Sequence, residues 1–397
     1  MQPSWLIKAA PSIGQPLCGF DMALGVNFTT VYKATPAIGT YNHAAMMDWH
    51  NDNMLLSWKN SPCDEDTPGQ RILFSQSADG LHWTPADGKN VLFPNLTSAA
   101  RPASLFGGPT IILNGRRYAS ASPSQFCLFP YPYASKPTAV EPGNLLLLRR
   151  VGPGIPSLLG PTFWASASIP RGFEEASARE NVISSADTDP TTQADLALLT
   201  KLSSGEWVPC LMEGRTTKCE ACAGGCGQTT RCERAHYMKP GGGDVIVTRS
   251  DFKSLNYSYR PSPSSAWSVS KRTDIPDVGS NMNAGTLPNG RAFLVSNACP
   301  QGGDVGAKRD PLVVASTADG WAFDRAVAVM SCVHLGGCQP RFPGAHKNPG
   351  PSYPQAVVVE GRVGGGVTGL PDVAGLFVVA TNNKEDVVVA RVPFEGL

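Results

Sequence analysis

His43 opens the apolar run YNHAAMMDWH, and a histidine there can take a proton and return it close to neutral pH. Glu233, Arg234 and Tyr237 lie together in ERAHYM, at the head of another apolar run. Arg71, Arg215 and Arg309 flank further runs, and an arginine matches a planar carboxylate with two parallel N–H donors. A histidine, an arginine to neutralise an anion and a tyrosine to share the proton or hold a hydroxyl suit proton abstraction beside a carboxylate. Asp64, Glu65, Asp66 and Glu233 offer a rival set, because glycoside hydrolysis normally uses two carboxylates flanking the scissile bond. Each group also has a plainer reading. His43 can cap a strand end with its ring on backbone, Arg234 can pair with Glu233 or a neighbouring blade, and the acidic loop can be solvated or locally bonded. His50, His82, His334 and His346 fall in turns or loops and read as solvated, while His236 can face either way.

Residues so far apart need a repeat to bring them together. Segments 41–83 and 281–323 share one order: an apolar run, a polar turn, a second run ending in Asn60 or Asn297, a loop, and a third run. Each closes on SADGLHW or TADGWAF, two copies of one turn 240 residues apart. In such a turn the Asp and Ser/Thr side chains bond backbone amides, Gly takes a positive φ, and the aromatic (Trp83 or Phe323) plugs into neighbouring strands. Fainter copies include the Asn114-Gly115 hairpin and a final set in which Asn382 stands where Asn60 and Asn297 do. Units of roughly 50 to 70 residues with three or four short strands predict an all-β fold, a β-propeller with Asp-box turns. Inner strands are expected near His43, Gly108, Phe163, Glu233, Asn283 and Tyr353, giving six blades. A seventh would need a strand between DLALLTKL and WVPCLMEG, and the Ala- and Glu-rich stretch 172–201 reads as an inserted helix.

This topology gives residues addresses. The Asp-Gly turns fall on one face, and the starts of inner strands and the loops after second strands fall on the other. His43, the loop 59–71, Glu233, Arg234, Asn283, Arg309, Tyr353 and the turn 382–386 are therefore expected to share a face. Asn60, Asn297 and Asn382 recur by position and read as ties between strand ends.

The 397 residues are read as one propeller domain, 1–397, with the N-terminal segment closing the last blade. A net charge of +1 gives no reason to expect nucleic acid, and no apolar stretch of about 18 residues suggests a membrane span. The N-terminus lacks a signal peptide, yet three sequons (Asn27, Asn95, Asn256) and eleven cysteines point to a secreted, disulfide-bonded monomer. Cys219, Cys222, Cys226 and Cys232 in CEACAGGCGQTTRC, with Cys210 and His236 nearby, could hold zinc, but their spacing suits disulfides in a cysteine-rich insert better. Cys332 and Cys338 form a plausible local pair, and the odd total leaves one thiol over.

Asp-box turns occur in sialidases, but that family's first arginine, in an Arg-Ile-Pro motif, has no counterpart in the N-terminal region here. The other parts of its pattern are three arginines on a carboxylate and a Tyr–Glu nucleophile pair. The chain instead resembles the propeller α-L-rhamnosidases and the L-rhamnose-α-1,4-D-glucuronate lyases. The resemblance rests on YNHAAMM, DEDTPGQRILFSQSADGLHW, CERAHYMKPGGG, MNAGTLPNGRAFLVSN, RDPLVVASTADG and NKEDVVVARVP, in order over most of the chain. It implies a seven-bladed propeller acting on the rhamnose caps of arabinogalactan-type glycans, with a working histidine on the first blade that falls on His43. The chain departs from that pattern at His43-Ala-Ala, where a second histidine or a proline is expected, and in the cysteine-rich insert. The implied reaction is syn β-elimination, which releases rhamnose and leaves a 4,5-unsaturated uronate. His43, Arg234 and Tyr237 are the expected catalytic groups, and Arg71, Arg215, Glu233, Asn283, Arg309 and Tyr353 the expected substrate contacts. No metal ligand is assigned and no cofactor is required, although a structural cation in the central channel is not readable from sequence. The expected partner is a rhamnose-capped acidic glycan. Hydrolysis of the same linkage, and a propeller lectin without catalysis, are the alternatives.

Overall fold

The computed structural model describes residues 2–7, 16–65, 67–97, 104–124, 146–203, 233–249, 254–299, 309–361 and 373–397. Among them, five antiparallel sheets follow one another along the chain, and each runs outward from an inner strand. The first sheet orders Tyr41–His50, Asn53–Ser61, Arg71–Ser77 and Val91–Phe93. The fourth repeats that order with Asn283–Thr286, Ala292–Ser296, Leu312–Thr317 and Arg325–Met330. The second and third begin at Ser104–Gly107 and Arg234–Met238. In the last sheet Pro351–Val359, Gly375–Asn382 and Asp386–Val392 are joined by Asn27–Tyr32, so both ends of the chain build one blade.

Second strands such as Asn53–Ser61 and Gly375–Asn382 are buried at every position. They have sheets against both faces, which is why they read as continuous apolar runs. Outermost strands are half exposed, as in Asn27–Tyr32. Apolar clusters pack the second sheet on the first, the first on the last, the last on the fourth, and the fourth on the third. Each fully buried Leu, Val or Phe in these seams contributes roughly 1.5–3 kcal/mol.

The two Asp-box turns are built alike. Asp79 Oδ1 accepts the amides of Leu81 and His82, both at 2.8 Å, while Ser77 Oγ accepts the Gly80 amide at 2.8 Å. Asp319 Oδ1 accepts those of Trp321 and Ala322 at 2.7 and 2.8 Å, while Thr317 Oγ1 accepts Gly320 at 3.1 Å.

Three expectations about strands need correction. Phe163 lies in Leu159–Trp164, the outermost strand of the second sheet, rather than in an inner one. Gly108 follows that sheet's inner strand instead of opening it. DLALLTKL is part of the helix Pro190–Ser203, which with Glu174–Arg179 gives two helices in and around the stretch 172–201. WVPCLMEG and the cysteines from Cys210 to Cys232 lie outside the described residues. Cys332 and Cys338 are disulfide-bonded, a second disulfide joins Cys18 to Cys299, and Cys63 is a free thiol.

Candidate functional site

Pairing in the first sheet puts His43 opposite Lys59 and Asn60 opposite Arg71, so inner-strand start, second-strand end and third-strand start share one end. At that end the inner strand is irregular. The register shifts between His43 and Met46, and Ala44 takes φ 50°, in the left-handed region. The last sheet's inner strand has a matching break between Ser352 and Gln355, with Tyr353 at φ 57°. Left-handed backbone is costly for side chains with a Cβ, and such residues cluster at functional sites. The two breaks bring the rings of His43 and Tyr353 together, with centroids 4.1 Å apart.

His43 is 1% exposed. Its Nδ1 lies 3.0 Å from the Thr381 hydroxyl, which in turn donates to the Ser352 carbonyl at 3.5 Å. A hydroxyl that donates to a carbonyl is left to accept, which places the proton on Nδ1 and a bare lone pair on Nε2. Nε2 is buried and has no hydrogen-bond partner among the described residues. Burial first, and then the charge of Lys384, holds the imidazole well below the usual histidine range, so it is neutral at physiological pH.

Two charged groups surround the ring. On one side Glu65 bridges Lys59 and Lys384, each at 3.0 Å. Lys59 is fully buried, with its ammonium 3.8 Å from the Phe106 ring centroid and 5.6 Å from that of Tyr41. Desolvation pushes Lys384 down to about 8, and the two lysines hold Glu65 well below the carboxylate range against its own burial. On the other side the Tyr353 hydroxyl donates to Glu233, which pairs with Arg249 at 2.7 Å, and Arg249 donates to the same hydroxyl at 3.3 Å. Burial and then Glu233 raise the Tyr353 phenol far above the usual tyrosine range. The Arg309 guanidinium sits 5.3 Å from the Tyr353 ring centroid, with Nη2 on the Gly279 carbonyl at 3.0 Å and a buried Nη1 that has no partner among the described residues. Gly350 makes this possible: at φ +96° its would-be Cβ lies 2.1 Å from the Arg309 carbonyl oxygen. With Asp277 also acting on Arg249, four cations against three carboxylates leave the cluster net positive. It also holds one bare base and one unused donor, an arrangement that fits an anionic ligand.

Of the expected site residues, His43, Glu233, Arg309 and Tyr353 meet here. Tyr237 does not: it is 1% exposed, packs edge-on against Phe323, and donates to the Gly320 carbonyl at 3.0 Å. It belongs to the seam beneath the second Asp-box turn. Arg234 alternates with Tyr237 along its strand and shares a face with His236. Arg71 donates to Asn60 Oδ1 at 3.1 Å and to the Ile38 carbonyl at 3.3 Å, beside a groove of about 850 Å³ between the first two sheets. Asn283 donates to Gln355 at 3.0 Å and accepts the Ala356 amide at 3.2 Å, tying two inner strands. Arg215 and Asp66 lie outside the described residues. In the acidic loop Glu65 is part of the cluster, and Asp64 accepts the Ala345 amide at 2.7 Å and lies 3.3 Å from His346 Nδ1. The His82 side chain is 87% exposed in its turn while lying 2.7 Å from Asp79, and His50 makes an exposed contact at 3.2 Å with the Gly115 carbonyl. Sequence reasoning missed Arg249, and it placed Lys59 and Lys384 on this face with the loop 59–71 and the turn 382–386 without giving either a role. A lysine inside the apolar run MLLSWKN was the available signal for Lys59, since a charge there needs a buried partner.

Against known proteins, residues 21–103 match the family model described as "Beta-prop_BT_1020:-like, N-terminal beta propeller". None of the curated proteins matches. Among solved structures, a sialidase superposes with a TM-score of 0.71 at 17% identity over 99% of this chain. The chain spans 35% of the length of that protein. A Hadza microbial sialidase, Hz136, aligns with a TM-score of 0.52 at 9% identity, over 93% of this chain and 69% of its own. A protein of unknown function from Dyadobacter fermentans aligns at 0.51 and 12% identity, over 93% and 100%. The fold is therefore an all-β propeller of the sialidase type.

Proposed function

We propose that this protein processes glycans ending in an acidic sugar, releasing L-rhamnose from O4 of D-glucuronate by β-elimination. The observation that carries the reading is the bare, neutral Nε2 of His43 in a net-positive cluster with the unused Nη1 of Arg309. In D-glucuronate H5 and the O4 substituent lie on the same face, so one group can serve both. His43 Nε2 takes H5, the C5–H electrons form the C4=C5 bond, the C4–O4 bond breaks, and O4 leaves with the proton from Nε2. Arg309 neutralises the carboxylate as charge develops on it, a role expected of Arg234 from sequence order alone. Sialidase-type neighbours support a glycan substrate.

Hydrolysis is the second reading, and the Tyr353–Glu233–Arg249 contact favours it: a phenol on a carboxylate is an activated-nucleophile arrangement. Incubation with a rhamnose-capped arabinogalactan, following free rhamnose and ultraviolet absorbance of the unsaturated uronate, separates the readings. Rhamnose with rising absorbance supports elimination. Rhamnose without absorbance means hydrolysis, and binding without release means a lectin.

A further inference from the structure

The strand Gly375–Asn382 and the turn after it touch the His43 segment three times, a concentration that packing alone does not require. Thr381 bonds His43 Nδ1 at 3.0 Å. The Lys384 carbonyl accepts the Asn42 amide at 2.8 Å, and the Glu385 carbonyl accepts Asn42 Nδ2 at 2.7 Å. Asn383 and Lys384 take φ 58° and 55°, the left-handed pair of a tight hairpin turn, which fixes where the lysine leaves the backbone. Its ammonium lies 5.7 Å from the Tyr41 ring centroid, and that ring is 5.9 Å from His43. Glu65 holds it there.

We infer that Thr381 and Lys384 are positioning residues for His43: Thr381 selects Nε2 as the bare nitrogen, and Lys384 sets a fixed positive charge behind the Tyr41 ring that flanks it. The inference rests on the reading of His43 as the proton-transfer group, and it extends that reading to the residues that set its state. Other groups acting on the ring are Lys59 and Glu65 of its own sheet segment, Arg309 from the loop before the third strand of the fourth sheet, and the Tyr41 and Tyr353 rings. Lys384, Lys59 and Arg309 oppose protonation and Glu65 favours it. Removing Lys384 and removing Glu65 should therefore move the ring in opposite directions, whereas loosening of the site would move both variants toward an exposed histidine.

The test is ¹⁵N NMR of the histidine side chains across pH in the full chain, assigned with His43→Gln. The wild type should show His43 neutral with the proton on Nδ1. In Lys384→Met its titration midpoint should rise by roughly one unit or more, with Lys384→Arg restoring it, and in Glu65→Gln it should fall. Thr381→Val should introduce the Nε2-protonated tautomer, and Thr381→Ser should not. Nε2 protonation in the wild type, an unmoved midpoint in Lys384→Met, or a rise in Glu65→Gln would overturn the inference. These readouts need no turnover, so they stand apart from the activity of His43→Gln, whose full retention would sink the functional reading alone.

Discussion

The first and fourth sheets carry the same turn at one end and different residues at the other. Asp79 and Asp319 each accept two successive amides at 2.7–2.8 Å, from residues at matching places in the motif. At the opposite end the first sheet pairs His43 with Lys59, whereas the fourth pairs Asn283 with Val295. The first sheet's inner strand breaks register after His43, and the fourth sheet's pairs through Asn283–Thr286 without a shift. One end of the blade thus supplies stability through a fixed set of bonds. The other end is free to vary, because its loops need only close the sheet, and there one copy has acquired a buried base and the other a hydrogen-bonded seam.

The largest effect expected from this contrast is at His43. His43→Gln should lower turnover of a rhamnose-capped arabinogalactan by about 10²–10⁴-fold while the glycan still binds. Retained turnover would remove the functional difference between the two sheets. Arg309→Lys keeps the charge but loses the planar fork, and turnover should fall on the order of 10²-fold. A fall confined to KM would instead make Arg309 a general binding group. His43 also leaves a thermodynamic trace. Its folded pKa lies below the unfolded value of 6.5, so the unfolded chain binds the extra proton and stability falls as pH drops below that value. Chemical denaturation between pH 7 and pH 5 should show this slope, and His43→Gln should flatten it.

At the turn end, the effects should fall on stability alone. Asp79→Ala or Asp319→Ala leaves backbone amides without their acceptor, costing about 1–3 kcal/mol each, with unchanged turnover per folded molecule. Asp79 is depressed to about 2 by its bonds to His82, Leu81 and Ser77, which outweigh its burial. Its contribution is therefore present above 3.8 and lost as pH falls toward 2. Asp79→Ala should lose that part of the acid transition.

The turn end was legible in the sequence because its function is local: one motif contains donor, acceptor and glycine. The other end was legible only by address. Placing inner-strand starts and second-strand loops on one face brought His43, Glu233, Arg309 and Tyr353 together, since strand direction fixes which ends meet. What failed was orientation and strand rank. Tyr237 follows Arg234 by three residues, so the alternation of their strand puts the two on opposite faces and Tyr237 in the seam. Phe163 sits in an apolar run like those of inner strands, and nothing in such a run reveals that it closes a blade. Lys384 was placed on that face with its turn, but its burial comes from Glu65 of the neighbouring blade, which its own polar stretch does not reveal.

Asn283 gives the smallest effect and tests the contrast most closely. It opens the inner strand of the fourth sheet, and sequence reasoning expected it to touch substrate. Both ends of its amide are already engaged, one by Gln355 and one by the Ala356 amide. Gln355 lies just past the break that turns Tyr353 toward His43, so the seam steadies one wall of the site without meeting the ligand. Asn283→Ala should cost about 1 kcal/mol in denaturant and change turnover no more than a few-fold. A loss of turnover as large as that of His43→Gln, with stability intact, would mean that Asn283 leaves Gln355 to bind substrate. The fourth sheet would then be a second working edge of the site.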